Sequence, residues 1–166
     1  MNKLQLLDRL KKLSNEYSIY DLIKVRNYLE KDMVELPPKY KDYYINTCIG
    51  YYTKLLNELK SLNKDSIFNK NEEINIEKYN NLIDRIENSS SNCKEFVNLS
   101  KIIVPYLVFI KKSPLHIVGM KFPGGKSIVK KNNQYYCPVK SKQLNNKSLC
   151  EFCVSQCYEN INKNNR

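Results

Sequence analysis

Cys150-Glu151-Phe152-Cys153 puts two thiols two residues apart, and Cys137-Pro138 stands one short loop upstream. Thiols at that spacing can both face one ion across a tight turn. A third thiol from a separate piece of chain would let the ion clip the two pieces together, and Zn²⁺ takes four such donors in a tetrahedron. Residues 137–153 are thereby constrained to fold back on themselves. Two residues compete for the fourth position. His116 is the only histidine and follows the stiff Ser113-Pro114-Leu115 entry. Cys157 lies four residues beyond Cys153, one turn on if a helix starts at Cys150. The bland readings are a hydrogen-bonded histidine beside an apolar strand and a buried free thiol.

Two other uses of the thiols fit less well. A disulfide framework needs an oxidising compartment. Met1 to Asp8 lacks an uninterrupted apolar region and a small-residue cleavage site, so a cytoplasmic protein is expected. An iron–sulfur cluster on Cys137, Cys150, Cys153 and Cys157 is the alternative cofactor. Its C-x2-C-x3-C order does not match ferredoxin spacings.

Residues 1–112 read as a helical bundle. Leu4, Leu7, Leu10 and Leu13 form one stripe of a first helix. Ser18-Ile19-Tyr20-Asp21 has the form of a capping box and opens a second helix to about Val34. Pro38 suits the first turn of a third, running to Leu62 with Tyr44, Cys48, Tyr51, Tyr52, Leu55, Leu56 and Leu59 inward. After a polar connector, Ile76–Asn88 fits a fourth. Asn92 would cap a fifth, Cys93–Lys111, with Glu95 at the third position. Its segment Ile102–Ile110 is the most apolar of the chain but too short to span a bilayer. It reads as a buried central helix that Pro105 kinks or divides in two. Cys48 and Cys93 read as core thiols.

Beyond Lys112 the pattern changes. Phe122-Pro123-Gly124-Gly125 is a turn. Ser127–Val129 and Tyr135–Cys137 read as strands of a hairpin about Lys131-Asn132-Asn133. Ser148 onward would form a short final helix. The expected architecture is mainly α: a multi-helix bundle, then a zinc-knuckle hairpin and helix over 113–160 packed on it as a small α+β appendage, then a tail, 161–166.

Charge is segregated in the same way. The chain carries a net +11 over 166 residues. Ten lysines and no acidic residue lie between Phe96 and Leu149, whereas the rest has eighteen basic against seventeen acidic residues.

The series Pro114-Leu115-His116, Gly119, Phe122–Gly125, Tyr135–Lys140 and Leu149-Cys150-x-Phe152-Cys153 resembles an archaeal protein family, known mainly from methanogens and described as a domain of unknown function. Tyr20-Asp21-Leu22 and Leu36-Pro37-x-x-Tyr40 extend the resemblance over most of the chain. It implies a cytoplasmic archaeal protein and no particular reaction. In the family the histidine is usually followed by proline, where this chain has Ile117. The family pattern has no counterpart of Cys157, which favours His116 as the fourth donor.

Three function classes follow. A zinc-stapled basic module suits RNA or another polyanion, with Lys121, Lys126, Lys130, Lys131, Lys140 and Lys142 on phosphates and Tyr136 stacked on a base. A structural or protein-interaction module with the same zinc is the alternative. A metalloenzyme or thiol-redox protein fits less well. Such an enzyme needs an open metal position and a nearby base, and this stretch has no carboxylate but Glu151, inside the knuckle itself. No membrane partner is expected.

Overall fold

The computed structural model describes residues 1–89, 91–143 and 145–165, the last four of these by backbone alone. Five α-helices come first: α1 (Lys3–Glu16), α2 (Ile19–Asp32), α3 (Pro38–Ser61), α4 (Ile76–Glu87) and α5 (Lys94–Pro105). Each start has a local cause. Asn2 and Gln5 form a reciprocal capping box on α1, as Ser18 and Asp21 do on α2. Pro38 occupies the first turn of α3, and the Asn75 side chain caps α4.

The helix interiors repeat apolar residues at helical spacing, and those residues meet in one core. Leu6, Leu7, Leu10, Val25, Leu55, Leu59 and Leu82 are fully buried there. α5 packs against all four other helices and is the axis of the bundle. Pro105 divides the expected Cys93–Lys111 helix in two. The α-pattern ends at Pro105 and the chain continues as a π-helix, Tyr106–Lys111, until Lys112 turns left-handed at φ 53°. A change of hydrogen-bond pattern accommodates the ring and the missing N–H that would otherwise kink the helix.

The connector between α3 and α4 is held by the amino end of the chain. The amides of Lys3 and Leu4 donate to the carbonyls of Glu72 and Lys70, and the Ile74 amide donates to that of Met1. The buried Lys3 ammonium meets Glu72 at 2.6 Å.

The start of α5 differs from expectation. Cys93, not Asn92, is the cap residue, and it makes no side-chain cap bond. Cys93 is therefore half-exposed rather than a core thiol, and its thiol reaches Glu95 at 3.7 Å. Ser90, in the link before it, lies outside the described residues.

The carboxyl-terminal lobe is a three-stranded sheet in the order β1 (Val129–Lys131), β2 (Gln134–Cys137), β3 (Gln156–Cys157). β1 and β2 form the expected hairpin, with Lys131 opposite Gln134. Asn132 and Asn133 both take positive φ, 49° and 59°, as a two-residue hairpin turn requires. The Gly125 amide donates to the Phe122 carbonyl at 3.0 Å, closing a turn in which Gly124 takes φ 94°.

The short helix expected from Ser148 does not form. The chain turns through Cys150–Cys153 and then pairs with β2 in parallel, Tyr136 against Gln156 and Cys137 against Cys157. Phe152 accounts for the difference. It is buried in the bundle core, which pins the turn and leaves the next residues extended beside β2. The expected tail continues as 3-10 backbone to Asn165.

Candidate functional site: a thiol cluster beneath a basic hairpin

Cys137 ends β2 and is buried. Burial pushes its thiol up. The backbone N–H groups of Val139 and Lys140 donate to its sulfur and work against that, while Cys153 and Cys150 add to it. The Cys150 and Cys153 turn is closed by the Cys153 amide on the Cys150 carbonyl at 3.2 Å. Lys140 ties the two segments together, its ammonium donating to the carbonyls of Cys153 (2.8 Å) and Ser155. Among the described residues no group of three or more His, Cys, Asp or Glu side chains is already arranged around an ion position. The Ser155 hydroxyl, two residues past the turn, is buried with no hydrogen-bond partner among the described residues.

The two candidates for the fourth donor sit on different sides of the lobe's seam with the bundle. Cys157 lies next to Cys137 across the parallel pairing. His116 lines a cavity that Cys150 also lines. Its ring is edge-on to Phe122 with centroids 5.6 Å apart, and its Nε2 is 3.5 Å from the Tyr44 hydroxyl. Burial lowers its pKa below 6.5, so the imidazole is neutral near pH 7 with a lone pair to donate.

Two residues enter the region that sequence reasoning did not place there. Cys48 of α3 is buried in a small cluster with Cys137, Met120, Phe122 and Ile128. It is a core thiol, as expected, but at the seam between bundle and lobe. Burial pushes it up to about 11, against hydrogen bonds from Tyr44 and Tyr52, so it stays protonated at neutral pH. Arg85 of α4 docks the C-x2-C turn. It donates to the Ser148 carbonyl at 3.1 Å, pairs with Glu151 at 2.7 Å, and lies 5.1 Å from the Phe152 ring centroid. The available signal for Cys48 was its place on the Tyr44/Tyr52 stripe. No local pattern marks Arg85.

The lysines divide into two groups. Lys121, Lys126, Lys130, Lys131 and Lys142 are exposed, and among the described residues none of them is ion-paired with a carboxylate. Lys126 lies over the Tyr158 ring and Lys130 over the Tyr135 ring, each at 5.4 Å. Lys140 does not belong with them, because its ammonium is committed to two carbonyls inside the lobe. Tyr136 does not fit the stacking role either. It is only 2% exposed, because β2 turns that face toward the interior and leaves no ring face for a base.

No helix among the described residues is long and apolar enough to cross a membrane. The model of an archaeal family described as "Uncharacterized protein conserved in archaea (DUF2115)" matches residues 2–157. A UPF0305 protein of Methanocaldococcus jannaschii is 44% identical over 165 residues, covering 97% of this chain and 99% of its own length. A UPF0305 protein of Methanococcus maripaludis is 38% identical over 156 residues, covering 93% and 96%. One from Methanothermobacter thermautotrophicus is 32% identical over 161 residues, with the same coverage. No solved structure matches the chain.

Proposed function

We propose that this chain, which belongs to the archaeal DUF2115 family, is a zinc-stabilised binding protein of the cytoplasm whose basic hairpin contacts RNA. One observation carries the reading. Lys121, Lys126, Lys130, Lys131 and Lys142 are exposed on a lobe whose sequence holds no acid from Val97 to Ser148. Lysine heads without counter-charges raise the local potential and attract polyanions.

Zinc fits the residues present. Cys137, Cys150 and Cys153 would hold it with His116, Cys157 being the alternative fourth donor. The support is the C-x2-C spacing with Cys137 upstream, the Lys140 ammonium that ties the two segments through the Cys153 carbonyl, and the pairing that sets Cys157 beside Cys137. With four protein donors the ion has no open position, and its contribution is to fix the fold. The reduced cytoplasm keeps the thiols available. The lysines then do the binding, and Tyr135, half-exposed beneath Lys130, is the aromatic face nearest to them.

The test is fluorescence anisotropy of a labelled single-stranded RNA against zinc-loaded full-length protein across a salt series. Affinity should fall steeply with salt. Lys130→Ala with Lys131→Ala should flatten the logarithmic slope by about 0.7 for each phosphate no longer neutralised. Negligible RNA and DNA binding at low salt by folded, zinc-loaded protein overturns the reading in favour of an acidic protein partner.

A further inference from the structure

A cavity of about 260 Å³ lies between α3, α5 and the carboxyl-terminal lobe. One wall is the apolar face of α5, with Leu99, Ile103 and Leu107. The other end is polar, with Tyr44 of α3, His116 and Cys150. Among the described residues no Asp, Glu, Lys or Arg lines it. The groove between α1, α2 and α5 is of another kind, for Glu16, Asp21, Glu95 and Lys101 line it.

These features select a guest. An apolar cavity of about 150 Å³ already accepts a benzene ring, so this one has room for a ring with a substituent. A charged guest would meet no counter-charge on the lining, which disfavours anions and cations. The Tyr44 hydroxyl and His116 Nε2 stand 3.5 Å apart, at the outer limit of a hydrogen bond. The Tyr44 hydroxyl gives its proton to Cys48 and keeps a lone pair with which to accept, while one His116 ring nitrogen carries an N–H to donate. A guest hydroxyl satisfies both by donating to one and accepting from the other. Pockets of this make-up, apolar with a few convergent polar groups, are the usual form of a small-molecule site.

We infer that this cavity binds a small neutral phenol or alcohol, its apolar body against α5 and its hydroxyl between Tyr44 and His116. The site needs the lobe seated on the bundle and shares His116 and Cys150 with the zinc reading, so the titration is run on zinc-loaded and on metal-free protein; it does not rest on the RNA reading.

The experiment is a titration of the full-length, isotope-labelled protein with phenol, toluene and benzoate at pH 7, followed by amide chemical shifts. Phenol should shift the amides of Leu99, Ser100, Ile103 and Cys150 saturably, with a Kd of about a millimolar, as expected for a guest of so few atoms. Toluene should reach the same amides more weakly, and benzoate should bind at least about tenfold more weakly than phenol. Tyr44→Phe should bring phenol down to the toluene level and leave toluene unchanged. Ser100→Leu, on the cavity wall, should exclude both. Shifts that do not saturate, or that scatter over the surface, overturn the inference. So does benzoate binding as well as phenol. If Tyr44→Phe does not fold, the order phenol, toluene, benzoate on the unaltered chain decides.

Discussion

Replacing Arg85 by methionine should free the C-x2-C turn from α4 and loosen the lobe by about 2 kcal/mol. The figure comes from three interactions of unequal weight. The guanidinium donates to the Ser148 carbonyl at 3.1 Å, and a hydrogen bond from a charged donor contributes about 1.5 kcal/mol or more. It lies 5.1 Å from the centroid of Phe152, which adds about 0.5–1 kcal/mol. The ion pair with Glu151 has the shortest distance, 2.7 Å, but the Glu151 side chain is 58% exposed, and screening leaves about 0–0.5 kcal/mol. Methionine keeps an apolar stem over Phe152, so most of the hydrophobic packing there is preserved. Native-state hydrogen exchange reads the result without needing metal or ligand. Protection of the Phe152 and Cys153 amides, which bond the Leu149 and Cys150 carbonyls, should fall by about thirtyfold, the factor equivalent to 2 kcal/mol. The Leu10 amide in α1 should be unaffected. Glu151→Gln alone should cost under about 0.5 kcal/mol. Protection unchanged in Arg85→Met, or Glu151→Gln as damaging as Arg85→Met, would refute this ranking of the three interactions.

Cys150→Ser should lower bound zinc from about one per chain to near zero by elemental analysis, while the bundle keeps its helical circular dichroism. In chelator competition, His116→Ala should lose far more zinc affinity than Cys157→Ser; the reverse order would give the fourth position to Cys157. Tyr136→Ala should destabilise the lobe by about 3 kcal/mol through the hole left by a buried ring, with the salt slope of RNA binding by the remaining folded protein unchanged. Glu58→Gln should flatten the acid limb of the stability curve. Burial raises the Glu58 pKa, but hydrogen bonds from Lys111 and Tyr106 outweigh it and hold the value below 4.5. As pH falls the unfolded chain takes up the proton first, so this contribution, fully present above 4.5, is lost as pH drops through the lower folded value. Thermal melts between pH 3 and 7 measure it.

The helices were legible because each carries its own evidence. The spacing of Leu22, Val25 and Leu29, or of Tyr79, Leu82 and Ile86, is a local property, and so is the Ser18/Asp21 box. The Asn132-Asn133 hairpin turn was legible for the same reason. What escaped depends on distant partners. A two-residue strand such as Gln156–Cys157 has no periodicity to read, and its pairing exists only because Tyr136 and Cys137 await it. The inner and outer members of Tyr135-Tyr136 cannot be told apart by composition, since alternation is fixed only once the sheet has a covered side. Lys140 looked like its neighbours until two carbonyls closed on its ammonium. Of the site, the thiol spacing and the exposed lysines could be read in advance, while the Arg85 dock and the position of Cys48 could not.

The parallel pairing of β3 with β2 has a consequence for the order in which the protein comes into being. Parallel neighbours cannot be joined by a tight turn, so the sheet closes only when the chain has travelled on from Cys137 and come back as Gln156. Synthesis runs from the amino end, and every helix and the whole hairpin exist before that return. Phe152, whose seat lies among the bundle side chains, arrives within the same late stretch. A stop codon between Cys137 and Phe152 would therefore yield a bundle with an open apolar seat and an unpaired strand edge, the two features that mark a nascent chain for chaperones and proteases.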